Sequence, residues 1–465
     1  MVSKQRIVIV GGGFGGVFAA KHLERIFGRS KDVEIVLISE QNYLLFTPML
    51  PEVPSSSIEA KHIVSPIRAF FRSADFMNAE VLSFNLEERT VSASHCPECR
   101  SANVSFDHLV LALGSTTNFF GLPGVSQYAL PMKTLSDAMT LRNHIIDLFE
   151  HADLQPSPEA RRAMLTFVVA GGGFAGVETV AEIGDFIHTA GRFYRRIQPE
   201  DVRVVLVHAG PQILPEIGER LGAYAARELR KNGVEIFFNT QVASATPREV
   251  DLTSGETIPS RTLVWTAGVT PSPLLATLPC ARNRRGQVLV NEFLAVPGLP
   301  GIWALGDCAE VRDPETDQPY PPTAQHAIRQ GKIIAENIAA SIQGRPKRTF
   351  RYKPLGVLAS LGRRSAVAEI LGFRFSGFFA WWLWRTIYLL KLPSFDRKIR
   401  VAVDWTLDLI FPRDVVLLKV LIRRSAGGKP IDTHPVETYH AQDEEPAAPS
   451  PGNSSRSRTS ILRSP

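Results

Sequence analysis

Residues 11–16 read GGGFGG and residues 171–176 read GGGFAG, so Gly11, Gly13 and Gly16 recur as Gly171, Gly173 and Gly176. Each copy is G-x-G-x-x-G. In that spacing the first glycine makes a tight strand-to-helix turn, and the second lets the backbone approach a pyrophosphate over the positive start of a helix. The third lets helix and strand pack closely. Phe14 and Phe174 follow the second glycine in both copies. Two residues beyond the third glycine the copies diverge: the first has Phe18 and the second Glu178. Only the second phosphate loop therefore ends in a group able to hold a proton.

Such loops work only between a strand and a helix. RIVIV precedes Gly11 and VFAAKHLERIF follows Gly16 with helical spacing; VEIVLISE then forms a second buried strand ending in Glu40. LTFVVA, an apolar helix from Val177, and VRVVLVH ending in His208 repeat this order around the second loop. The chain is thus predicted as α/β, with two Rossmann-like dinucleotide-binding domains. Two dinucleotides in one chain suit FAD together with a nicotinamide nucleotide, because a flavin turns a two-electron hydride donor into reducing power for a second acceptor. Glu40 stands where a carboxylate can bind a ribose 2′-OH, as the adenosine half of FAD requires. The second such strand ends in His208 without a carboxylate to repel a 2′-phosphate, which leaves NADPH open beside NADH.

At 465 residues, with 44% hydrophobic and 21% charged residues, the chain is an ordinary globular protein of two or more domains. Its +6 charge is localised: Arg374–Ser425 holds ten Lys/Arg against four Asp/Glu, together with four of the six tryptophans. The most apolar run there, Phe378–Leu392, is interrupted by Arg385 and Lys391 and is too short to span a bilayer. Aromatic and basic residues at helical spacing predict an interfacial helix, its tryptophans at headgroup level and its cations toward anionic lipid. The same helices would serve a homodimer. A nucleic-acid surface would need no Leu/Trp face, so no nucleic-acid partner is expected. Beyond Ser425 the Pro/Ser-rich sequence cannot bury enough apolar surface to order itself. The start of the chain shows no signal-peptide pattern, which predicts a cytoplasmic setting. Cys96 and Cys99, even with His95, supply too few ligands for a structural zinc site, so no metal is expected. Cys280 and Cys308 read as core residues.

The motifs VIVGGGFGGVFAA, LVLALGS, VVAGGGFAGVETVAEI, GPQILP, LVWTAGVTP, IWALGDCA and PPTAQHAIRQG occur in this order. As a set the chain resembles the two-dinucleotide-binding flavoproteins, and among them the type II NADH dehydrogenases, single-subunit and non-proton-pumping NADH:quinone oxidoreductases. The resemblance implies a peripheral protein on the cytoplasmic side of the membrane that passes electrons from NADH or NADPH through FAD to a membrane quinone. It divides the chain into an FAD-binding domain (1–120 and 271–350, the latter segment with the quinone motif) and an NAD(P)H-binding domain (121–270). A membrane-anchoring or dimerising region (351–425) and a disordered tail (426–465) follow. Gly306 and Asp307 would bind FAD, and the turns at Ala112–Gly114 and Thr266–Gly268 would join the domains, with Gly114 on the FAD side and Gly268 on the NAD(P)H side. Glu178 would lie near nicotinamide and flavin, where a carboxylate could relay protons to a quinone. Gln325 matches the first of two quinone-site glutamines; Arg329 replaces the second and, like an amide, can donate to a quinone carbonyl. Two other readings stand beside this one: a soluble NAD(P)H-dependent flavoprotein reductase with a non-quinone acceptor, and a redox sensor like apoptosis-inducing factor.

Overall fold

Unbroken Val/Ile/Leu runs make strands buried on both faces, the condition for a parallel sheet. The computed structural model describes residues 4–28, 30–95 and 101–418. Cys96, Cys99 and the Pro/Ser-rich tail lie outside the described residues. The chain opens with β1 (Gln5–Val10), α1 (Phe14–Phe27), β2 (Val33–Ser39), β3 (Asp75–Asn78) and β4 (His108–Leu111). Next come β5 (Ala129–Pro131), α2 (Leu135–Leu154), β6 (Thr166–Ala170), α3 (Phe174–Ala190), β7 (Arg203–Val207), α4 (Glu219–Lys231), β8 (Val234–Phe237) and β9 (Thr262–Trp265). The chain then returns through β10 (Ile302–Ala304) and α5 (Ala324–Ile342).

Two five-stranded parallel sheets result, ordered β10-β4-β1-β2-β3 and β5-β9-β6-β7-β8. The glycine loop leaves the central strand of each, but the edge strand on one side comes last in the chain in the first sheet (β10) and first in the second (β5). The first sheet is completed by β10, from nearly 200 residues downstream of β4. Chain passes between the sheets twice, and the two passages pair antiparallel, Ser115–Thr117 against Val269–Pro271. Helix α5 crosses the first turn of α1 closely enough that a Cβ on Gly331 would lie 2.7 Å from the Gly15 carbonyl oxygen. Glycine at 331 thus fixes where the start of α5 sits relative to the first phosphate loop.

Past Phe350 the chain builds a layer in which the sequence marks only helices. It opens with an antiparallel sheet, β11 (Gly356–Ser360), β12 (Ala366–Ile370) and β13 (Phe373–Ser376), followed by α6 (Gly377–Lys391) and α7 (Phe395–Ile410). Leu358, Ala359, Val367, Trp381, Trp384, Val401 and Trp405 share one core with α3.

This packing corrects the expected placement of the tryptophans. Trp381, Trp384 and Trp405 are buried, and only Trp382, 51% exposed, is free for a headgroup. The Arg385 guanidinium lies 4.2 Å from the centre of the Trp381 ring and 4.8 Å from that of Trp405, and Arg413 is buried too. Mixed aromatic and basic residues at helical spacing describe an interfacial helix and a core helix with partnered cations equally well; here buried carboxylates supply the partners. An apolar outer face remains, with Phe378, Phe379, Trp382, Phe395, Ile399 and Ile410 all more than half exposed. Among the described residues no helix is long and apolar enough to cross a membrane.

Candidate active site

Both glycine loops are shaped for a dinucleotide. Gly11 and Gly171 have φ of +115° and +112°, and added Cβ atoms would collide with Ala112 and Thr266. Cβ atoms on Gly16 and Gly176 would strike the carbonyl oxygens of Gly11 and Gly171. At Gly13 and Gly173, the N-caps of α1 and α3, a Cβ would meet nothing within 4 Å. Open space over an uncapped helix start is where a pyrophosphate binds. Phe14 and Phe174 turn away from that space, Phe14 edge-on to Phe46 at 5.9 Å and Phe174 against the core of the second domain.

The sheet register moves one sequence expectation. Gly11 donates to the Ile38 carbonyl and Gly171 to that of Val207, which makes Ser39 the equivalent of His208, and Glu40 the equivalent of Ala209. Ser39 and His208 both face the residue after the first glycine, whereas Glu40 and Ala209 stand one position beyond and are exposed. His208 Nδ1 accepts the Gly172 N–H at 3.1 Å, which leaves the ring proton on Nε2. Neither residue 208 nor residue 209 is a carboxylate.

Asp307 follows β10 in a short turn, Gly306–Cys308. Its Oδ2 accepts from Ser115 Oγ at 2.8 Å and lies 3.6 Å from Lys133 Nζ, which itself donates to Ser115 Oγ. Gly306 donates its N–H to Gln330 Oε1 at 2.8 Å, so the glutamine beside Arg329 holds this turn. Gly114 and Gly306 have φ of +63° and +71°, and the Phe120 ring lies so close over Gly268 that a Cβ there would strike it. Ser115 ends the LVLALGS motif, whereas Lys133 belongs to no motif and was not legible in the sequence.

Glu178 sits in the second turn of α3, buried beneath the C-terminal layer. Its Oε1 accepts the Ser360 N–H at 2.9 Å and the Trp384 indole N–H at 3.2 Å, both from that layer. Burial dominates these two stabilising bonds and raises its pKa from 4.5 to about 8. Among the described residues both partners fall on Oε1, so Oε2 is left to carry the proton.

Gln325 and Arg329 come together at the start of α5, one turn apart. Gln325 Oε1 accepts from the Tyr352 hydroxyl at 2.9 Å, and its Nε2 makes only a 3.4 Å bond to the Gly356 carbonyl. Arg329 Nη1 donates to the Gln325 carbonyl at 3.0 Å, and its guanidinium carbon lies 4.1 Å from the centre of the Tyr352 ring. Between them His326 is kept neutral, its pKa lowered to about 4 by burial and by Arg329.

One face of α6 links these two places. Trp384, Tyr388 and Lys391 follow one another at helical spacing. Trp384 holds Glu178, and the Tyr388 ring lies 4.8 Å from that of Trp384. Burial and then the Glu178 charge push the Tyr388 hydroxyl upward. At the far end, partial burial and then the Arg329 charge hold Lys391 below its ordinary range. Phe46 completes the site, edge-on to both Phe14 and Tyr388.

Thiol chemistry finds no support. Cys308 is fully buried, and burial raises it to about 11; Cys280 is half-buried and also raised by burial. Among the described residues no group of three or more His, Cys, Asp or Glu could hold a metal ion.

Two dinucleotide folds in one chain, the second with a buried carboxyl beside its glycine loop, define a two-nucleotide oxidoreductase. Residues 5–331 match the model of the pyridine nucleotide-disulphide oxidoreductases, and residues 355–414 match that of the NDH2 C-terminal domain. The type II NADH:quinone oxidoreductase Ndh of Mycobacterium tuberculosis is 34% identical over 88% of this chain and 89% of its own length. The demethylphylloquinone reductase NdbB of Synechocystis is 32% identical, over 87% of this chain and 96% of its own. Among solved structures, NDH2 from Plasmodium falciparum in complex with NADH superposes with a TM-score of 0.83 at 21% identity, covering 89% of this chain and 100% of that one. The chain belongs to the pyridine nucleotide-disulphide oxidoreductase family, in its type II NADH dehydrogenase branch.

Proposed function

We propose that the chain takes two electrons from a nicotinamide nucleotide and delivers them, through FAD, to a quinone at a membrane surface. The observation that carries this reading is the single face of α6 that touches both Glu178 and the surroundings of Arg329. The loop Gly11–Gly16, Asp307 and Lys133 would hold FAD, and the loop Gly171–Gly176 would hold the nicotinamide nucleotide. Bound FAD supplies the two-electron chemistry that no side chain here can supply.

The residues of the chain position groups and move protons. Glu178 keeps a proton near neutral pH and can give it up toward a reduced acceptor. Tyr352 occupies Gln325 Oε1 and so turns the amide nitrogen outward, its long bond to Gly356 easily exchanged for one to a quinone carbonyl. Arg329, braced on its own helix and on the Tyr352 face, adds a charged donor at the same place.

The exposed apolar residues of α6 and α7, with Arg400 among them, support binding to the anionic cytoplasmic leaflet, on the side of the NADH pool. A second copy of the chain is the other surface this face would fit. The test is anaerobic stopped-flow of flavin absorbance, reducing with one equivalent of NADH or NADPH and then mixing with a short-chain quinone. Fast reduction followed by fast reoxidation supports the reading. Fast reduction with no reoxidation would transfer it to the soluble reductase with another acceptor.

A further inference from the structure

Quinone reduction does not balance on the nucleotide alone. NAD(P)H and a quinone yield NAD(P)⁺ and a quinol only with one further proton, which must come from solvent. Glu178 is buried, so on the reading above it needs resupply.

We propose that Glu52, set beside Glu182 and a water-sized cavity, passes protons from solvent toward Glu178. Glu182 lies one turn beyond Glu178 on α3. Its Oε2 accepts from the Ser55 and Ser57 hydroxyls at 2.7 and 3.2 Å and faces Arg413 Nη1 at 3.4 Å. Glu52 comes from the loop after β2. Its Oε2 accepts the Trp405 indole N–H at 2.7 Å, while its buried Oε1 has no hydrogen-bond partner among the described residues. An orphaned buried carboxyl oxygen is costly, and an apolar side chain at position 52 would be more stable.

Glu52 also borders a cavity of about 10 Å³, room for one water. Glu52 and Glu182 line it, as do Ser360 and Trp384, the two residues that hydrogen-bond Glu178. Arg363 and Leu409, both exposed, line it as well, so the cavity reaches from solvent to the residues that hold Glu178.

The charges around Glu52 suit a group that gains and loses one proton. Burial and the Glu182 carboxylate favour its neutral form and raise it to about 8, while Arg385 on α6, the Trp405 bond and Arg413 oppose this. Asp408 on α7 pairs with Arg413 at 2.9 Å and lies 3.9 Å from Arg385, so neither cation is free to fix Glu52 as a permanent anion. Asp185, on the far side of Glu182, is itself raised to about 6 by burial and by Glu182. In each turnover Glu178 releases a proton to the reduced acceptor and regains one from Glu52 by way of a water in the cavity. Solvent then restores that proton, and one is consumed per quinol formed.

The test uses Glu52→Gln in the full-length holoenzyme. Glutamine keeps the shape, neutrality and Trp405 bond of protonated Glu52 but cannot give up a proton. We expect unchanged FAD content, melting temperature and rate of flavin reduction by NADH. Reoxidation by a short-chain quinone should slow by about tenfold or more. Its dependence on pH between about 6 and 9 should change with it, a readout that packing alone would not move. If the variant loses FAD, Leu409→Trp, which plugs the outer wall and alters no carboxyl, should give the same slow reoxidation. Reoxidation at the unmodified rate throughout that range, in a variant that keeps FAD, would overturn the route. An unmodified protein that quinone does not reoxidise would overturn the quinone reading beneath it.

Discussion

On the reading proposed above, Glu178 supplies a proton to the quinone half of the reaction. Because burial holds its pKa near 8, the proton-bearing form is depleted as pH rises past that value. Reoxidation by quinone should therefore slow above about pH 8, while flavin reduction follows a different profile. Glu178→Gln should lower reoxidation by roughly 10²-fold and leave FAD bound. Unchanged turnover would remove Glu178 from proton handling. The end of β7 makes a separate prediction. With no carboxylate at 208 or at 209, the position equivalent to Glu40, the site should accept NADPH beside NADH, and Ala209→Glu should favour NADH by about tenfold or more through like-charge repulsion. Equal ratios of kcat/KM for the two coenzymes in both proteins would place discrimination elsewhere.

At the scale of elements, α6 has two jobs on two faces. Trp384 is inside, so Trp384→Ala should cost about 3–5 kcal/mol in chemical denaturation and also loosen Glu178. Trp382 is outside, so Trp382→Ala should leave stability within about 0.5 kcal/mol yet weaken flotation with anionic vesicles. Full vesicle binding by that variant, and by one that also carries Phe378→Ala, would assign the face to a second copy of the chain.

The same helix marks the limit of what the sequence discloses. The glycine loops, their strands and Glu178 were legible because each is a local pattern with a local cause. Gln325 and Arg329 were legible by resemblance. The direction of the tryptophans was not, since it depends on carboxylates up to 353 residues away, as in the Trp405 bond to Glu52. Nor was the one-residue offset between Glu40 and His208, which only the sheet register fixes.

For the molecule as a whole, buried carboxyls set the response to pH. Glu52 and Glu178 bind their protons more tightly when folded, at about 8 against 4.5. Their contribution to stability is fully present below about pH 4.5 and is lost as pH rises through about 8. The melting temperature should fall across that interval, and the double variant Glu52→Gln/Glu178→Gln should flatten the fall. An equally steep fall in the double variant would mean that other groups govern it.

The late arrival of β10 and of the layer after Phe350 bears on how the protein is made. During synthesis the second sheet is complete once β9 has emerged, whereas the first waits for β10, and Glu178 waits longer still for Ser360 and Trp384. A nascent chain can thus acquire its nucleotide folds before it has the means to discharge electrons. On the reading proposed above, translation itself withholds electron delivery until the layer after Phe350 has been made.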